Sequence, residues 1–249
     1  MALDLNDKTT NGNTLTNVGA AEVTTSLPFA ASTKAVDLEL SESDYLWAAD
    51  SASLSITGSL SLECWVKFES IAGAGGTHSL LTKYDDIGAN KVSYNFFLTT
   101  NADPATNILR FIYSTDGSYQ AANDKSVLWN PSTATWYHIA VTLDVSAKEI
   151  KFYVDGVQQG ATQVPTGASI IDTDIKFAIG TYLQSNTTPV SFFDGVMDDV
   201  RVWNDVRTIT EIANNKSVQL AGTEANLVAY WPFEPLPTAV SGSYAFFMS

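Results

Sequence analysis

In the stretch FFDGVMDDVRVW, residues 192–203, Asp198 falls on the same alternation as Val196, Val200 and Val202. Alternation in a strand sorts side chains onto two faces, so this pattern predicts a carboxylate on the apolar side. An unpaired buried charge costs several kcal/mol or is neutralised by protonation. Asp198 therefore needs a partner, and Arg201, a lysine or backbone N–H groups would serve.

A second set of candidates is aromatic. Tyr84 with Asp85 and Asp86, then Tyr119 and Tyr182, fall in or beside predicted loops. A loop tyrosine flanked by polar side chains can stack on a sugar ring while its neighbours bond the hydroxyls. Strand aromatics such as Phe152, Phe177 and Trp231 are core candidates instead.

Other chemistries find little to use. His138 sits inside a strand pattern as a structural residue and His78 lies at a loop edge. With one cysteine, Cys64, they give no zinc spacing and no Cys/His pair. Cys64 excludes an internal disulfide and reads as a small buried hydrophobe beside Trp65. SIAGAGGT, residues 70–77, lacks the lysine and following helix of a phosphate cradle. Glycoside hydrolysis needs two carboxylates about 5–9.5 Å apart. Glu39, Glu42 and Asp44 form the nearest acidic cluster but share no strand face, so catalysis is not expected.

The elements that must position these residues are mostly strands. TWYHIAVTLDVSAKEIKFYVDGVQQG, residues 135–160, reads as two strands, a turn and the opening of a third, with Asp155-Gly156 supplying a type I′ turn. SLSLECWVKF puts Leu60, Leu62, Cys64, Val66 and Phe68 on one parity, facing the core. VSYNFFLT and NILRFIYS read as a strand pair, Tyr119 to Pro131 as a long connection, and TYLQSNTTPVS as a loop. Asp37 and Glu39 share a face in AVDLELSESDYL. Residues 1–34 form an N-terminal edge segment with strand candidates in ALDLND and AAEVTTSLPF. The helix candidate is Thr208 to Lys216, where Thr208 and Glu211 make a capping box.

At 249 residues the chain suits one large sandwich domain, 1–249, ending in a tail, 238–249, that carries Tyr244, Phe246 and Phe247. Lys plus Arg number 13 against 27 Asp plus Glu, a formal charge of −14, which argues against nucleic acid or an anionic bilayer as partner. No apolar run approaches the roughly 18 residues of a membrane span. Met1 leads into ALDLND without the basic start and apolar stretch of a signal peptide.

Four stretches taken together, SLSLECWVKF, the 135–160 run, FFDGVMDDVRVWNDVRTITEI and NLVAYWPFE, resemble in order and spacing the laminin-G-like jelly-roll domains of the concanavalin A-like lectin and glucanase superfamily. The resemblance implies an all-β fold, a two-sheet antiparallel jelly-roll sandwich with one short helix near the C-terminus. It also implies a structural calcium ion on the aspartate of the D-x-V-R-V strand, here Asp198, with Glu39 as its first-strand counterpart. The acidic cluster with which the similar pentraxins hold calcium is missing after Ile179-Gly180, and so is the E-x-D-x-x-E string of the glucanases.

The resulting expectation is a non-catalytic, surface-exposed glycan-binding or adhesive module. The alternative is a virion surface protein, a capsid decoration or tail component that contacts neighbouring structural proteins; a glycoside hydrolase is a minor third. A place outside the cell or on a virion fits each of the first two, and so does a homo-oligomer.

Overall fold

The computed structural model describes residues 3–71, 76–87, 91–101 and 103–235. Its strands begin with β1 (Thr16–Val18), β2 (Ala21–Val23), β3 (Ala35–Leu38), β4 (Tyr45–Ala48), β5 (Leu60–Phe68) and β6 (Thr77–Tyr84). They continue with β7 (Val92–Thr99), β8 (Ile108–Tyr113), β9 (Asp124–Leu128), β10 (Trp136–Asp144), β11 (Glu149–Val154) and β12 (Val157–Gln163). The remainder are β13 (Phe177–Ile179), β14 (Tyr182–Gln184), β15 (Thr188–Val190), β16 (Gly195–Trp203), helix α1 (Ile209–Asn215) and β17 (Leu227–Trp231).

All pairings are antiparallel. One sheet runs β1-β4-β13-β6-β7-β8-β9, and the other runs β12-β11-β10-β5-β16-β3-β2 with β17 also on β16. This is the antiparallel jelly-roll sandwich that the family resemblance implies. Leu60, Leu62, Cys64, Val66 and Phe68 all reach the shared core, opposed by Tyr94, Phe96, Phe111 and Phe177. Burial pushes the Cys64 thiol well above its usual range, so it stays a protonated core side chain. No helix of the described residues is long and apolar enough to cross a membrane.

Local chemistry explains the connections. Asp155 and Gly156 both have positive φ, 53° and 82°, and close the β11–β12 hairpin. The capping box at Thr208 and Glu211 starts α1. ALDLND is not a strand. Its backbone runs beside β17 instead, where the Asp4 and Lys8 N–H groups donate to the Phe233 and Tyr230 carbonyls, each at 2.9 Å. The 119–131 connection contains β9, and the loop after Gly180 folds into the β14–β15 hairpin. The expected tail, with Tyr244, Phe246 and Phe247, lies outside the described residues.

The outer face of the β5–β16 sheet carries a buried ionic network beneath α1. Arg201 contacts Asp199, lies 3.5 Å from Glu63, and donates to the carbonyls of Asn215 (3.1 Å) and Val218 (2.7 Å). Trp203 Nε1 donates to Glu63 at 2.9 Å, Tyr230 OH donates to Asp199 at 2.7 Å, and His138 Nε2 lies 3.3 Å from Glu63. Burial would raise the Glu63 pKa, but Arg201 and His138 outweigh it and hold it at about 2. Asp199 is pushed up, chiefly by burial, despite Arg201. His78 lies in β6, buried edge-on to Phe68, rather than at a loop edge.

Candidate functional site

The outer face of the other sheet carries a groove. In β7, Tyr94, Phe96 and Leu98 enter the core, so Asn95 and Phe97 face outward; in β8, Leu109, Phe111 and Tyr113 enter it, so Arg110 and Ile112 face outward. Register then sets Asn95 against Ile112 and Phe97 against Arg110. Tyr84 at the end of β6, Tyr182 in β14 and Tyr119 before β9 close in around them, leaving a groove of about 210 Å³.

All three tyrosines expected from the sequence thus converge. The Tyr84 and Tyr182 rings stand edge to face at 5.1 Å. Asp86 holds the assembly from the rim, accepting from Tyr182 OH and from Gln184 Nε2, each at 2.9 Å. Burial, with Asp86 nearby, pushes both the Tyr84 and Tyr182 hydroxyls up to about 12, so they stay neutral. Tyr119, 52 % exposed, donates to Asp124 at 2.6 Å. Arg110 grips the same carboxylate with Nε at 2.7 Å and with Nη2, and its guanidinium sits 5.3 Å from the Phe97 ring centre. The pairing with Asp124 raises the Arg110 pKa further, so its charge is permanent.

Asp85 does not join them. It is fully buried, accepts from the Ile87 N–H at 2.8 Å, and lies 3.8 Å from Lys91 Nζ, which makes it a brace for its own loop. Asn95, Phe97 and Arg110 escaped the sequence reading because it drew its binding candidates from loops, and these three sit inside the strand pair. The two-residue period that sends Tyr94, Phe96 and Leu98, and likewise Leu109, Phe111 and Tyr113, to one face was the signal that could have found them. A larger hollow of about 550 Å³ lies against Gln120, Asn123 and residues 166–169. It has no aromatic wall, and its two amides are spent on Thr115, Thr166 and Gly167. The smaller groove is therefore the better binding candidate.

Asp198 is placed differently from its predicted parity. Asp199 has φ 54° and the pairing with β5 shifts between Asp198 and Arg201. This bulge turns Val196 and Asp198 outward while Val200 and Val202 stay in the core. Asp198 is nevertheless only 1 % exposed, and its partners are Ser32 Oγ at 2.6 Å and the Asp199 N–H at 2.7 Å, not Arg201. Burial, then the charges of Asp199 and Glu234, push its carboxyl well above the usual range.

Glu39 is not near it. Leu38 pairs with Gly195 and Val36 with Met197, so Glu39 and Asp198 lie beyond opposite ends of that ladder, roughly 13 Å apart at strand rise. Glu39 instead meets Asp37 and Glu69, with one oxygen of each within 4.8 Å of the others. Burial and mutual repulsion raise the Asp37 and Glu39 pKa values.

A family model described as the concanavalin A-like lectin/glucanases superfamily matches residues 40–213. No curated protein matches the chain in sequence. Among solved structures it is similar to a putative carbohydrate binding protein from Bacteroides ovatus, with TM-score 0.59 and 18% identity over 80% of this chain and 50% of that one. The chain thus spans half the length of that relative. It is also similar to domain 4 of an extracellular arabinanase from Geobacillus stearothermophilus, solved in complex with arabinotriose, with TM-score 0.56 and 15% identity over 86% and 97% of the two chains. The enzymatically active domain of tailspike protein 2 of bacteriophage CBA120 gives TM-score 0.56 and 15% identity over 94% of this chain and 33% of that one. Identities this low bear on the fold alone.

Proposed function

The chain belongs to the concanavalin A-like lectin/glucanase superfamily, and from that premise we propose that it is a non-catalytic saccharide-binding module whose site is the groove on β6, β7 and β8. One observation carries the reading: Tyr84, Tyr119, Tyr182 and Phe97 converge with Arg110 and Asn95 on a sheet face that no helix of the described residues covers. Aromatic faces supply the apolar contact and the polar groups fix orientation. Asp86 and Asp124 are engaged as acceptors by tyrosine, glutamine and arginine, which suits positioning rather than proton transfer. The carbohydrate-binding relative and the domain solved with arabinotriose support this reading by analogy of fold.

The test is a glycan array followed by titration calorimetry. Tyr119→Ala with Tyr182→Ala should weaken binding at least ten-fold, about 1.4 kcal/mol, with little change in melting temperature. Undiminished binding in that double variant would sink the groove as the site. A virion-surface role is the second reading, favoured by the tailspike likeness over 94% of the chain. A silent array together with binding to a capsid or tail protein would select it.

The superfamily's calcium ion is proposed on Asp198, with the Ser32 hydroxyl and the Lys34 carbonyl oxygen, and without Glu39. Ser32 Oγ already lies 2.6 Å from Asp198 and 3.3 Å from the Lys34 carbonyl, and an all-oxygen set suits calcium. When bound, the ion would supply the positive charge that the Asp198 carboxylate lacks. In chelator the raised Asp198 pKa makes the protonated form the stabilising one. That contribution is present in acid and is lost as pH rises through the folded-state value. Asp198→Asn should abolish the loss, melting at or above the unmodified protein at pH 8 in chelator and below it in millimolar calcium. The same melting difference in both solutions would dispose of the ion.

A further inference from the structure

Building on the groove as the saccharide site, we infer that it takes the end of a neutral sugar chain and discriminates against uronic and sialic acids. Asn95, 3 % exposed, lines the groove, and its Oδ1, shut off from solvent, has no hydrogen-bond partner, so only a group that penetrates the groove floor can complete it. An amide oxygen can only accept, so the group that completes it must be a donor: a ring hydroxyl or an acetamido N–H, never a carboxylate.

The lining's one cation points the same way. Arg110 is the group that a sugar carboxylate would seek, yet two of its nitrogens already hold Asp124. An acidic sugar would bring its charge up against Asp124, which holds Arg110 and Tyr119, while Asp86 holds Tyr182. The tyrosine hydroxyls there stay neutral and offer no positive charge. The remaining N–H groups of Arg110 can still donate to a hydroxyl. Size sets the last condition: about 210 Å³ lies below the roughly 300–1,000 Å³ of sites for drug-sized ligands, which leaves room for one ring and favours a chain end.

The experiment uses pairs that differ only at carbon six: methyl glucoside against methyl glucuronide and methyl galactoside against methyl galacturonide, read by calorimetry. At least one neutral member should bind ten-fold or more tightly than its uronate, with a gap that narrows as salt rises. Asp124→Asn, which frees Arg110, should narrow the gap at low salt. Asn95→Leu should weaken the neutral sugar about ten-fold. Because Asn95 is buried, the comparison within the unmodified protein stands by itself if that variant misfolds. Equal or tighter binding of the uronates overturns the sugar class and leaves the groove in place. Silence from all four probes and from the array removes the groove as a saccharide site, and this inference with it.

Discussion

Arg201→Met is expected to cost about 3–5 kcal/mol, because it strands Glu63 and Asp199 as uncompensated buried charges. It also takes donors from the Asn215 and Val218 carbonyls, which moor α1 and the segment after it. For a chain of this size the fall in melting temperature should be roughly 6–20 °C, at about 2–4 °C per kcal/mol. The triple variant Arg201→Met, Glu63→Gln, Asp199→Asn should lose less than the single one, since no charge is left unpaired. A single variant that melts within 2 °C of the parent, with ~1 kcal/mol or less lost, would refute the network as a major stabiliser. The network also has a direction in pH. Glu63 held at about 2 contributes stability above the usual carboxylate pKa, and that share disappears as pH falls through about 2.

Gly195→Ala is the other large effect. Gly195 opens β16 between Phe68 and Leu38 with φ 140°, and a Cβ there would stand 2.2 Å from the Lys67 carbonyl oxygen. Backbone cannot swing aside as a side chain can. Strain of about 1–3 kcal/mol and overpacking of similar size make a loss of roughly 2–6 kcal/mol. Gly58→Ala is the control, because nothing lies within 4 Å of its added carbon. It should be neutral or slightly stabilising, and equal melting of the two variants would defeat the argument.

How much of this was legible in the chain depends on what the residues could signal by themselves. Strands with a clear two-residue period, such as β5 and β11, announce their core face, and Asp155-Gly156 announces its turn. β9 did not, since DKSVL buries only Val127 and reads as polar connection. The outward turn of Asp198 was hidden because the bulge at Asp199 adds a residue that parity cannot count. Glu39 and Asp37 were rightly put on one face, but the third carboxylate, Glu69, arrives from beyond β5, a pairing of distant segments. The groove was half visible. Its loop tyrosines stood out, whereas Asn95, Phe97 and Arg110 sit inside strands, where no loop signal marks them.

The hydrogen bond from the Asp4 N–H to the Phe233 carbonyl has a practical meaning for protein engineering. Residues 4 and 233 are held about one strand spacing apart, roughly 4.7–4.9 Å. A host protein would need to part a surface turn by little more than that to receive everything between them as an insert. The groove would then be displayed on a doubly tethered cassette, with its two tethers leaving side by side.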